Sequence, residues 1–178
     1  MARSLYYRGH LIRGALVIEP AQRGGGLSVS YTETLREKRH TYVGTIISSG
    51  RSLHFLLQAN EGIPPLFVSL VRPGLPCSVL CGIMSGGTTI APEVQLSTTR
   101  MAVVRVPGWP ESSNRYLLPT EGAIAGDLRA AGLTLQDPSE ADALLRNFLL
   151  TASDAVDQIT EADQVRIAKA LDKSHLAF

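Results

Sequence analysis

The first aspartate of this chain is residue 127, so every acidic residue before it is a glutamate. A catalytic site built there would have to orient a histidine with glutamate. The sequence also lacks a G-x-S-x-G elbow and an H-x-x-x-H pair, and His10, His40, His54 and His175 are scattered. These absences remove the common signatures of hydrolases and zinc peptidases. A triad is assembled in space, however, so a hydrolase using His54 or Glu33 stays open as the weaker alternative.

No run reaches the roughly 18 apolar residues that a membrane helix needs. The opening "MARSLYYRGHLIRG" has no apolar core followed by small residues, unlike a signal peptide. There are only two cysteines, Cys77 and Cys81. Four apart in a strand, their Cα atoms would lie about 13 Å apart, whereas a disulfide needs less than about 7 Å. Free thiols, a reducing cytoplasm, no metal and no cofactor are the expectation.

What is present is ordinary globular material, 44% hydrophobic and 19% charged over 178 residues. The net charge of +1 conceals an imbalance. Residues 1–107 hold eleven basic and five acidic side chains, a net +6, and residues 108–178 hold six and eleven, a net −5. Two separately built pieces are implied, and the basic piece favours an anionic partner. Equally, that piece could simply dock on the acidic tail.

Short alternating stretches fill residues 4–107. In "LSVSYTETL", Leu27, Val29, Tyr31, Glu33 and Leu35 share one face, and Ser28, Ser30, Thr32 and Thr34 the other. About seven such strands follow one another at hairpin spacing with no helix between them, which excludes βαβ units. The expected fold is an antiparallel up-and-down meander closing into a small β-barrel over 1–107, since closure hides sheet edges. A linker over 108–119 and a helical appendage over 120–178 complete it. Thr120 is expected to cap a first helix that Gly132 ends. Asp137, Pro138 and Glu140 open a second, with Ala141, Leu144, Leu145, Phe148 and Leu149 as its apolar stripe. Thr160 and Asp163 start a third, carrying Val165, Ile167, Ala168 and Leu171.

The stretch "GIMSGGTT" places Gly82 and Gly87 at the P-loop offset, but Thr88 stands where lysine should be and strand-like alternation follows. The glycine pair Gly86-Gly87 therefore predicts a hairpin turn rather than a phosphate cradle. Together, "YVGTIISSGRSLHFLL", "VLCGIMSGG" and "PEVQLSTTRMAVV" resemble small bacterial β-barrel sensor domains of lipocalin-like shape, over about residues 4–107. The resemblance implies a barrel that holds a small ligand, in some antiphage-defence members a cyclic nucleotide, and it transfers no individual site residue. "TEADQVRIAKALDKS" resembles the opening helix of a bacterial helix-turn-helix domain. Only seven residues follow Leu171 and the tail is acidic, so no direct DNA binding is expected.

The ligand-binding candidates are Tyr7, Arg13, Tyr31, Glu33, Tyr42, His54 and Arg100. Tyrosines can stack on a base or fill space. Glu33 is exposed if near a rim and needs a partner if deeper. His54 alternates against Leu53, Phe55 and Leu57, and so faces solvent unless Leu56 marks its face as inward. Arg100 sits in the row of Val94, Leu96, Thr98, Ala102 and Val104 and is read as an anion clamp or a bulge. The sequence thus predicts a non-enzymatic sensory domain for a small anionic, nucleotide-like molecule. The alternative is a solid-cored module that forms homo-oligomers through its C-terminal helices.

Overall fold

The computed structural model describes residues 1–4, 9–21, 26–35, 38–59, 62–72, 78–90, 93–107, 115–150 and 161–171. Among the described residues ten strands precede three helices. The strands are β1 (Ala2–Arg3), β2 (Leu11–Arg13), β3 (Ala15–Pro20), β4 (Leu27–Leu35), β5 (Lys38–Ser49), β6 (Ser52–Gln58), β7 (Leu66–Val71), β8 (Val79–Ile90), β9 (Glu93–Val104) and β10 (Arg115–Leu117). The helices are α1 (Ala123–Ala130), α2 (Pro138–Leu150) and α3 (Glu161–Leu171). Among the described residues no helix is long and apolar enough to cross a membrane.

The strands form one antiparallel sheet in the order β10-β2-β1-β9-β8-β7-β6-β5-β4-β3. From β3 to β9 it follows chain order, as the alternating pattern predicts. It is a half-barrel, and the expected closed barrel is corrected on this point. The reason is competition for one edge: Ala2 of β1 pairs with Met101, so β1 takes the side of β9 that β3 would need for closure. β2 and β3 are separated only by Gly14, yet β3 ends the strand order and β2 is next to its other end. The two sides of the sheet therefore meet at Gly14, with no ladder across the seam among the described residues. A Cβ on Gly14 would lie 2.6 Å from the Tyr31 hydroxyl and 2.7 Å from the Thr32 carbonyl oxygen, so a side chain there would have to displace β4.

Two cores result. The concave face buries Val29, Tyr31, Tyr42, Phe55, Leu57, Val68, Leu70, Met84 and Met101. The convex face of β8, β9 and β2 carries Leu11, Val79, Cys81 and Ala102, which are covered by Ile124, Leu128, Leu145, Leu149 and Leu171 of the helices. Cys81 is buried and is not in a disulfide, and Cys77 lies outside the described residues.

Several local expectations change. Gly86 and Gly87 lie inside β8, paired with Ser97 and Leu96, so the expected hairpin turn does not fall at this pair. Leu66 packs directly over Gly86, where a Cβ would lie 2.5 Å from its Cδ2. Part of the expected linker forms β10, which pairs with β2. Thr120 does not cap α1 with its side chain. Asp142 does so from α2, accepting from the backbone N–H of Ile124 (2.9 Å) and Ala125 (3.1 Å). Asp137 caps α2 as expected, through the Glu140 N–H at 2.9 Å. On α3, Val165 is exposed and Gln164 is buried. The β7–β8 ladder stops at Leu70–Gly82, which leaves the Cys81 N–H beyond its end, and Gln164 Oε1 accepts it at 3.0 Å.

Candidate functional site

The open seam holds a cavity of about 540 Å³. Leu16 and Val17 of β3 wall one side, and Leu80 of β8, Val103 of β9 and Val106 just past it wall the other. Tyr31, Ser78, Arg105 and the Arg13–Asp127 pair add polar lining. Its size falls in the range of small-molecule sites, about 300–1,000 Å³, and so does the combination of apolar walls with few polar groups.

The polar end is built by topology. Arg13 ends β2 just before the Gly14 bend, and α1 lays Asp127 against it. Asp127, 1% exposed, accepts at Oδ1 from Arg13 Nη1 and from Arg115 Nε (3.1 Å) and Nη2 (2.7 Å). Two guanidiniums on one carboxylate leave a net positive charge. Asp127 Oδ2 and Ser78 Oγ, the latter on a residue 4% exposed, are buried with no hydrogen-bond partner among the described residues.

Tyr31 connects the cavity to a second polar group. Glu33 is 5% exposed on the concave face, so it lies deep and has the partners that depth demands. The Tyr31 hydroxyl donates to its Oε2 at 3.0 Å and the Tyr42 hydroxyl to its Oε1 at 3.4 Å. The two rings are cross-strand neighbours with centroids 6.0 Å apart. Burial raises the Glu33 carboxyl above its ordinary value of 4.5, and the two hydroxyl donors only partly oppose this. Burial also holds the Tyr31 phenol well above 10.0, reinforced by Glu33.

No family model, curated protein or solved structure matches this chain. The site is therefore read from its geometry alone.

Glu33 has a measurable consequence. Its folded-state pKa is raised, so its contribution to stability is full below 4.5 and is lost as pH rises through the folded value. Glu33→Gln keeps the shape and removes the titration. The melting temperature of the variant is expected to exceed that of the parent at pH 7, with the gap shrinking toward pH 4.5. A gap that stays constant across this range would show that the carboxyl is not desolvated.

Of the seven candidates, Arg13 and Tyr31 line the cavity, and Glu33 and Tyr42 adjoin it through Tyr31. Tyr7 lies outside the described residues. His54 is on the convex face, bonded to Ser52 Oγ (2.8 Å, Nε2) and Ser69 Oγ (3.0 Å, Nδ1). A hydroxyl thus stands where a triad has its carboxylate. Arg100 is also convex. Its guanidinium lies 5.4 Å from the Phe148 ring centroid and donates to the Phe148 carbonyl at 3.4 Å, so it fastens α2 to the sheet. Asp127, Ser78 and Arg115 were not foreseen. Asp127 alone had a signal in the sequence: it falls in the apolar stripe of Ile124, Leu128 and Ala131, where a solvated charge has no place.

Proposed function

We propose that this chain is a non-enzymatic ligand-binding domain with a sensory role, and that its small molecule lies in the seam between β3 and β9. The observation that carries this reading is the apolar cavity with the buried Arg13–Asp127 pair, joined from the surface by Arg115, at one end and the exposed Arg105 among its lining residues. A flat ring fits between Leu16, Leu80 and Val103, and a negatively charged group suits the exposed guanidinium of Arg105. A nucleotide-like anion combines both. A seam with no ladder across it also gives a ligand something to report, because binding there bridges the two ends of the sheet.

The alternative of an oligomerisation module has less support. Leu145, Phe148 and Leu149 of the α2 stripe are already buried within one chain. The hydrolase alternative rests on His54 or Glu33: His54 is not among the residues that line the cavity, and Glu33 is engaged by the Tyr31 and Tyr42 hydroxyls.

The test is a thermal-shift screen of linear and cyclic mononucleotides. A ligand at 100 times its dissociation constant adds about 2.7 kcal/mol, or roughly 5–10 °C for a chain of this size. The shift is expected in the parent and absent in Val103→Trp, which fills the cavity. An unmoved melting point across the whole screen at millimolar concentration overturns the proposal.

A further inference from the structure

We infer that the buried end of the cavity selects a nucleobase edge that carries an amino donor, with Asp127 Oδ2 as its acceptor and Ser78 Oγ as a second polar contact. The inference deepens the nucleotide-like reading and rests on it. Its ground is a mismatch in hydrogen-bond capacity. Asp127 Oδ1 serves three N–H donors from Arg13 and Arg115, whereas Oδ2 serves none among the described residues. A carboxylate held by two guanidiniums offers acceptors only. A buried acceptor without a donor bears its full desolvation cost, and a ligand N–H removes that cost.

The same geometry orients the ligand. A phosphate cannot face Asp127 Oδ2, since two anions would then meet in a poorly solvated space. The base edge therefore goes inward, its faces against Leu16, Leu80 and Val103. The phosphate stays outward, where the exposed Arg105 lines the cavity. Ser78 Oγ both donates and accepts, so it matches a ring nitrogen beside the amino group.

The test is calorimetric titration of the whole chain with adenosine and cytidine 5′-monophosphates. Each is compared with the same nucleotide lacking its exocyclic amino group, purine riboside and 2-pyrimidinone riboside 5′-monophosphates. At least one amino-bearing member is expected to bind roughly tenfold or more tightly than its counterpart, because a site built for a donor rejects the analogue without it. Asp127→Asn puts an amide N–H₂ where Oδ2 stands and is expected to erase the difference. Equal affinity within both pairs in the parent protein overturns the inference and leaves the ligand reading intact. No binding by any of the four overturns the nucleotide reading itself. Discrimination that persists in Asp127→Asn overturns the assignment to Asp127. Should that variant not fold, the parent comparison alone decides.

Discussion

Asp127→Ala is expected to destabilise the fold by about 3–5 kcal/mol, the cost of removing one partner from a buried ion pair. In a chain of this length that corresponds to a melting temperature lower by roughly 10 °C. The loss does not measure the worth of the pair. It arises because Arg13, 7% exposed, would keep its charge out of water with no carboxylate beside it. Arg115 behaves differently. Its side chain is 52% exposed and can turn to solvent, so Arg115→Ala should cost no more than about 1 kcal/mol. The double variant Arg13→Met/Asp127→Leu separates the two causes. If the penalty is an uncompensated charge, the apolar pair recovers most of it, since such swaps are often neutral. Chemical denaturation of the four proteins reads the effect. An Asp127→Ala variant within 1 kcal/mol of the parent would mean that α1 does not hold Asp127 against β2.

The parts of this molecule legible in the sequence are those set by neighbours in the chain. The alternation of Val29, Tyr31 and Glu33 placed one face of β4 inward, and the Asp137–Glu140 spacing placed the start of α2. Features set by distant segments were not legible. Closure depended on whether β1 or β3 takes the edge of β9, and no periodicity within β9 records that choice. Arg100 shows the same limit. β9 is buried on both faces, by the concave core and by α2, so its apolar row could not tell which face is the interior. Gln164 was hidden for a different reason. Hydropathy selects Val165 for the α3 stripe, but the N–H left over where β7 ends requires an acceptor at Gln164. The functional candidates divide along the same line. Tyr31 and Arg13 were named from residue type, but the cavity that joins them exists only because the sheet stays open.

The glycines of β8 give the second large effect. Gly82→Ala places a Cβ 1.9 Å from the Ser69 carbonyl oxygen and 2.8 Å from the Leu70 Cα. Both are backbone atoms of the neighbouring strand and cannot rotate away. The ladder itself must shift, so the cost should reach the top of the roughly 1–3 kcal/mol typical of overpacking, or exceed it. An internal control uses the same substitution elsewhere. Gly126 lies in the interior of α1, and a Cβ there meets nothing within 4 Å. Alanine at that position lowers the entropy of the unfolded chain and improves helix propensity, a gain of about 0.5–1 kcal/mol. Identical chemistry is thus expected to move the unfolding midpoint in opposite directions at the two sites. Were Gly82→Ala to leave the midpoint unmoved or raise it, β7 and β8 could not be as close as Leu70–Gly82 pairing requires. The concave wall they form with Met84 and Leu70 would then have to be drawn differently.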